Sequence, residues 1–278
     1  MNRKKRIIFF ILIATVGLIV LLYPVGSKWI NSLGQARVIN EYNSELEKQS
    51  ENELLKRWKE AKKYNKKIFK RGNCGELSRD GMKEYMRLID ITGNGIMGTL
   101  EISKINVRLP IFHGTGDSSL QIGAGHFEGT SLPVGGKNTH AVITGHRGLP
   151  SAMMLTELDG MEKGDTFVLR ILKKTLTYEV DQISIVLPDD ISLLEIEEGK
   201  DYCTLVTCTP YGINSHRILV RGYRIPNIEN PTEGFNAILS DMKVAVIMTA
   251  IIILPLIIMF VYLIKKHKKI RKKVKDDD

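Results

Sequence analysis

The chain has 278 residues, 43% hydrophobic and 26% charged, with 40 Lys/Arg against 31 Asp/Glu and a formal charge of +9. The excess is confined to the ends: setting aside the twelve Lys/Arg and three Asp of the two tails leaves 28 of each sign, so the part between is neutral and no nucleic-acid or other polyanion ligand is expected. Three cysteines are too few for a disulfide framework, and no Cys or His spacing suits zinc, so neither a metal nor an organic cofactor is expected.

Residues 1–6 form a basic tail with Arg3, Lys4, Lys5 and Arg6. Ile7 to Tyr23 is almost wholly apolar and reads, extended over 7–25, as a membrane anchor near the lower length limit for a helix crossing about 30 Å of hydrocarbon. Tyr23-Pro24-Val25-Gly26-Ser27-Lys28-Trp29 offers no small-x-small cleavage site, so an uncleaved anchor is preferred to a signal peptide. Residues 26–96 read as an extracellular helical region. From Gln35 to Lys70 glycine and proline are absent and the apolar positions suit one or two amphipathic helices; Arg71–Gly81 reads as a loop, and Met82–Ile91 as a short helix.

The period changes at Met97. Thr99–Ile102, Asn106–Leu109, Ala141–Ile143, Thr166–Leu169, Thr175–Val180, Gln182–Val186, Tyr202–Thr207 and Arg217–Tyr223 are short β-prone runs separated by Gly, Pro and Asp. Residues 97–226 thus form a mainly-β domain, a barrel or a sandwich. A linker follows at 227–243. Val244 to Ile264 is polar-tipped only at Thr249 and Tyr262 and reads as a second membrane helix, trailed by a basic tail at 265–278. Lys/Arg at both ends place both termini in the cytoplasm and the middle outside, a two-pass plasma-membrane topology.

Within the β-region three residues can act together. Cys208 closes Thr204-Leu205-Val206-Thr207-Cys208; Arg217 follows nine residues later in His216-Arg217-Ile218-Leu219; His146 lies in Thr144-Gly145-His146-Arg147-Gly148. A thiol attacks a carbonyl, an imidazole moves protons to and from amines, and a guanidinium steadies the oxyanion. Cys203 and Cys208, five positions apart on one strand, point to opposite faces about 16 Å apart and cannot bridge. His113, His126, His140 and His216 read as structural, and Arg221, of the same strand parity, is the rival of Arg217. Thr207 is a candidate for shaping the carbonyl site.

These motifs resemble those of the sortases, cysteine transpeptidases of Gram-positive cell surfaces. Thr204–Cys208 matches the TLxTC signature, and Gly125–Thr130, Thr144–Pro150 and Thr209–Arg217 are most similar to class C, the pilin polymerases. The resemblance implies an eight-stranded barrel with N-terminal helices and two membrane helices. It also implies Cys208, His146 and Arg217 as the catalytic set, an LPxTG-like sorting signal on pilin subunits as donor, and a pilin lysine as acceptor. One family feature is missing: no Asp-Pro pair exists to anchor a lid, and the corresponding loop, 71–81, carries Cys74 instead. A housekeeping sortase acting on a cell-wall precursor and a non-catalytic adhesin are the alternatives.

Overall fold

The computed structural model describes residues 3–72, 75–149, 153–227 and 250. Its order is α1 (Arg3–Lys48), α2 (Glu51–Arg71), α3 (Arg79–Arg87), β1 (Ile96–Ile102), β2 (Val107–His113), α4 (Asp117–Leu120), β3 (Ala124–His126), β4 (Thr139–Thr144), β5 (Thr166–Ile171), β6 (Lys174–Val186), β7 (Asp201–Thr209) and β8 (His216–Ile225). The strands close a barrel in the order β1-β2-β3-β4-β7-β8-β6-β5. The expected eight-stranded barrel with N-terminal helices is therefore the fold.

Two strands differ from their sequence reading. β6 is one strand where two runs are expected, because Asp181 is a bulge: the β6–β8 register slips between Val180 and Gln182. β3 carries no alternating pattern to announce it. It forms because Gly125 lets backbones meet; a Cβ there would come 2.3 Å from the Gly114 carbonyl oxygen.

The helices owe their limits to local chemistry. Ser50 and Glu53 form a capping box at the start of α2, the Glu53 N–H donating to Ser50 Oγ and the Ser50 N–H to Glu53 Oε2. Gly72 ends α2 at φ +86°. Leu54, Trp58, Ala61, Tyr64 and Ile68 form the stripe that α2 buries. Asn65 completes the attachment: its Nδ2 donates to the Leu132 carbonyl at 2.9 Å and its Oδ1 accepts from the Leu132 N–H at 2.7 Å. α3 begins at Arg79, so the connection after α2 is shorter than the 71–81 loop read from sequence. Cys74 lies outside the described residues.

α1 continues across the residue-25 boundary as one helix with Pro24 inside it, bent by 43° between Leu21 and Gly26. Among the described residues no single helix is long and apolar enough to cross a membrane; Thr15–Leu21 and Gly26–Lys48, meeting at 43°, meet that requirement of length and composition only when taken as a bent pair. The linker beyond residue 227 and the second apolar run, 244–264, lie outside the described residues except for residue 250. Above Pro24, α1 joins the barrel: Ile39, Tyr42 and Leu46 are buried. The Tyr42 hydroxyl donates to the Met97 carbonyl at 2.8 Å and accepts from the Leu172 N–H at 3.1 Å, and Glu47 pairs with Lys173 at 3.4 Å.

Candidate active site

β7 lies between two differently oriented neighbours, β4 parallel on one side and β8 antiparallel on the other. Alternation along β7 sends Cys203 into the core, fully buried, and leaves Cys208 half-buried near the strand end. Both thiols are free. Burial pushes the Cys203 thiol well above its usual value, which keeps it protonated and unreactive.

The β7–β8 ladder pairs Cys208 directly with Arg217. Residues so paired project to the same face with Cβ atoms about 5 Å apart. Arg217 Nη1 donates to the Asn214 and His216 carbonyls at 3.1 and 3.0 Å. Among the described residues its Nε and Nη2 make no hydrogen bond, leaving two donors for an incoming oxyanion.

On the other flank the β4–β7 ladder runs in constant register from Thr139↔Asp201 to Thr144↔Val206. The chain keeps to that track past the end of the strand. The Gly145 N–H donates to the Val206 carbonyl at 3.1 Å, Thr207 Oγ1 donates to the Gly145 carbonyl at 2.7 Å, and Arg147 Nη1 donates to the Cys208 carbonyl at 3.4 Å. His146, half-buried, lies in the chain between Gly145 and Arg147, which make those bonds to Thr207 and Cys208. The backbone at Cys208 is therefore flanked by the segment that carries His146 on the β4 side and by its ladder partner Arg217 on the β8 side.

The chain matches the Sortase domain model over residues 100–225. It is 46% identical to a crystal structure of sortase C1 from Streptococcus agalactiae, with a TM-score of 0.68 over 69% of this chain and the whole of that one. The chain belongs to the sortase family. Streptococcus pneumoniae sortase C, a structure described as bearing on catalysis and pilin substrate specificity, is 44% identical at TM-score 0.63, covering 69% of this chain and 97% of that one. Clostridium perfringens sortase C, solved with the C-terminal cell wall sorting motif, is 41% identical at TM-score 0.62 over 69% of this chain and all of that one. Against curated relatives such as sortase D of Bacillus subtilis, 34% identical over 131 residues and 46% of this chain, the match spans 63% of the relative's length or less.

The other candidates take structural places in this sortase. Arg221 makes a two-pronged pair with Asp181 (3.1 and 2.8 Å), reaches Glu197 at 3.1 Å and stacks 4.2 Å over the Tyr202 ring. In the ladder it stands opposite Thr204, four residues from Cys208. Thr207 is 1% exposed and its hydroxyl is engaged by Gly145, so it bears on the site by fastening the His146 segment to β7.

Three other histidines are buried. His126 Nδ1 lies 2.9 Å from the Tyr85 hydroxyl and Nε2 2.8 Å from the Ser131 carbonyl; desolvation lowers its pKa to about 4. His140 bridges the Glu195 carbonyl and Thr204 Oγ1. His113 reaches the Gly95 and Leu88 carbonyls, tying the end of α3 to β2. His216 lies beside Ser215 Oγ at 2.9 Å.

Sequence reasoning missed Arg147. Its side chain is 7% exposed. Besides the Cys208 carbonyl, it donates to Thr209 Oγ1 at 3.0 Å and pairs with Asp159 in the turn Leu158–Gly160. It thus locks the last residues of β7 to the loop that carries His146. The one signal was its place beside His146.

Proposed function

We propose that this chain is a cysteine transpeptidase that cleaves an LPxTG-like sorting signal and transfers the acyl group to a pilin lysine. The direct pairing of Cys208 with Arg217, with the His146 segment on the opposite flank of β7, carries the reading. Cys208 Sγ attacks the carbonyl of the scissile peptide bond, and the oxyanion that forms accepts hydrogen bonds from Arg217. His146 protonates the departing amine, leaving a thioester on Cys208. The incoming lysine amine gives a proton back to His146, attacks the thioester, and releases the new amide and the free thiol.

The pilin assignment is supported by the class C motifs of the sequence and by the likeness to sortases C, one with a sorting motif and one linked to pilin specificity. Plasma-membrane anchoring is supported by the apolar run 7–25, the exposed apolar side chains of lower α1, and the second run at 244–264 with its basic tail. Both termini are then cytoplasmic and the barrel extracellular.

The test is Cys208→Ala beside Cys203→Ala, each incubated with a sorting-signal peptide and a pilin carrying its lysine. Loss of cleavage in the first and its retention in the second support the assignment; the reverse overturns it. A product joined to a cell-wall precursor amine while pilin lysine is refused favours the housekeeping reaction instead. Fusions reporting an external C-terminus contradict the two-pass topology.

A further inference from the structure

The catalytic loop and α1 touch, and the touching point fixes which end of the barrel faces the anchor. Gln35 Nε2 donates to Met154 Sδ at 3.5 Å, and the next residue, Leu155, donates its N–H to the His146 carbonyl at 3.1 Å. Twelve residues farther along α1, Glu47 meets Lys173 in the β5–β6 turn. α1 thus passes the barrel from the His146 rim to the opposite end, over about 18 Å at the helical rise. Whatever anchors the lower part of α1 is therefore nearer the catalytic rim than any other part of this barrel wall.

The lower part of α1 exposes apolar side chains up to Tyr23 and, after Pro24–Lys28, again at Trp29, Ile30 and Leu33 below that rim. Phe9, Ile13, Val16, Ile19, Val20, Leu21 and Tyr23 are each at least half exposed, and above Pro24 so are, or nearly are, Trp29 (46%), Ile30 (66%) and Leu33 (48%). Phe9 to Leu33 is about 36 Å along the helix path, a few Å less in reach because of the 43° bend near Pro24, against about 30 Å of hydrocarbon in a bilayer. The surplus puts Trp29 to Leu33 in the interfacial layer, where tryptophan is enriched. Gln35 comes two residues later. Next to its partner Met154 in the chain, Met153 is itself 45% exposed, an apolar side chain on the loop that α1 touches.

We propose that the barrel rests on the membrane by this rim, with Met153, Trp29, Ile30 and Leu33 forming one contact with the bilayer interface. The inference rests on the anchoring reading above and adds the barrel's orientation to it. The occupant is lipid because the exposed apolar residues Trp29, Ile30 and Leu33 follow the apolar run on the same helix, starting within two turns of Tyr23. The contact of α1 with the His146 loop then lies about 14 Å or less above the level of Gly26. The preferred substrate is a polypeptide whose scissile bond is held at the same lipid surface.

The full chain, reconstituted in phosphatidylcholine vesicles, tests this with lipids brominated either near the headgroup or at the chain ends. Trp58, 7% exposed in the core, is the unquenched reference in Trp29→Phe. Met153→Trp in that background is expected to lose its added fluorescence to the shallow bromines and not to the deep ones. If the chain floats with the vesicles and the tryptophan at 153 stays bright, the anchor stands and the resting rim is overturned. If the chain does not float, the anchoring reading itself fails. Protection of the new tryptophan that depends on protein concentration and not on bromine assigns the face to a second copy and overturns the lipid contact.

A functional arm uses seven polar residues inserted between residues 26 and 27, which lift the rim by about 10 Å. Cleavage of a sorting peptide tethered closely to the vesicle is expected to fall at least fivefold, with cleavage of the free peptide unchanged. Equal rates on both substrates contradict the inference.

Discussion

Replacing Arg147 by Met separates holding the protein together from placing the nucleophile. The guanidinium makes one good bond to Thr209 Oγ1 (3.0 Å), a longer one to the Cys208 carbonyl (3.4 Å) and an ion pair with Asp159. Asp159 is 48% exposed and rehydrates when its partner leaves, so that pair counts for about 0–1 kcal/mol. A hydrogen bond from a charged donor is worth about 1.5–3 kcal/mol. Against this, Arg147 Nε is buried without a partner, and methionine relieves that desolvation. The net cost is about 1–2 kcal/mol, small beside the stability of about 5–15 kcal/mol typical of a folded domain. Catalysis has a different sensitivity: a shift of about 1 Å in a reacting group costs roughly 10²-fold, and the bonds lost are those that fix the end of β7. Arg147→Met is therefore expected to unfold in urea close to wild type while single-turnover thioester formation falls about 10–100-fold. Arg147→Lys, which keeps the charge and reaches one acceptor, recovers part of the loss. A folded Arg147→Met that acylates at the wild-type rate refutes the positioning argument.

Arg217→Lys keeps the positive charge opposite Cys208 but loses the planar fork. Steady-state turnover should fall about 10²–10³-fold, as for a lost oxyanion donor, and turnover near wild type contradicts an oriented role. His126 is neutral in the fold with a pKa of about 4, so unfolding takes up a proton between that value and about 6.5. Stability should fall as pH drops through this window, by about 3 kcal/mol from this group at about 1.4 kcal/mol per unit. Denaturant midpoints against pH should be flatter in His126→Gln, and an equal slope excludes His126 as the source. With no Asp-Pro wedge in the sequence, Cys208 should react with a thiol reagent at the same rate in wild type and Cys74→Ser; acceleration by reductant in wild type alone would establish a Cys74 gate.

The pairing of the candidate residues Cys208 and Arg217 was legible in the sequence because both belong to short contiguous motifs on strands. Thr204–Cys208 faces Arg217–Arg221 in one antiparallel ladder, and the pairing of Cys208 with Arg217 follows from the single turn that joins the two strands. What the sequence did not disclose depends on distant partners. β3 is three residues with glycine at its centre, held by its ladders with β2 and β4 and packed so close to the Gly114 carbonyl that only glycine fits, with no pattern of its own. The Asp181 bulge is visible only against the register of β8. Arg147 and Asp159 are twelve residues apart across a loop, and nothing local marks them as a pair. Asn65 reads as one polar residue on a basic helix until Leu132, 67 residues later, takes both of its amide atoms.

The central claim is that Cys208 becomes covalently acylated during the reaction. Intact-mass analysis of the protein quenched in acid after mixing with a sorting-signal peptide, followed by peptide mapping, reads this directly. The account predicts an added acyl fragment, labile to hydroxylamine and located on Cys208, that disappears when an amine acceptor is supplied. Cleaved peptide with no adduct on Cys208, or with the adduct on Cys203, contradicts it.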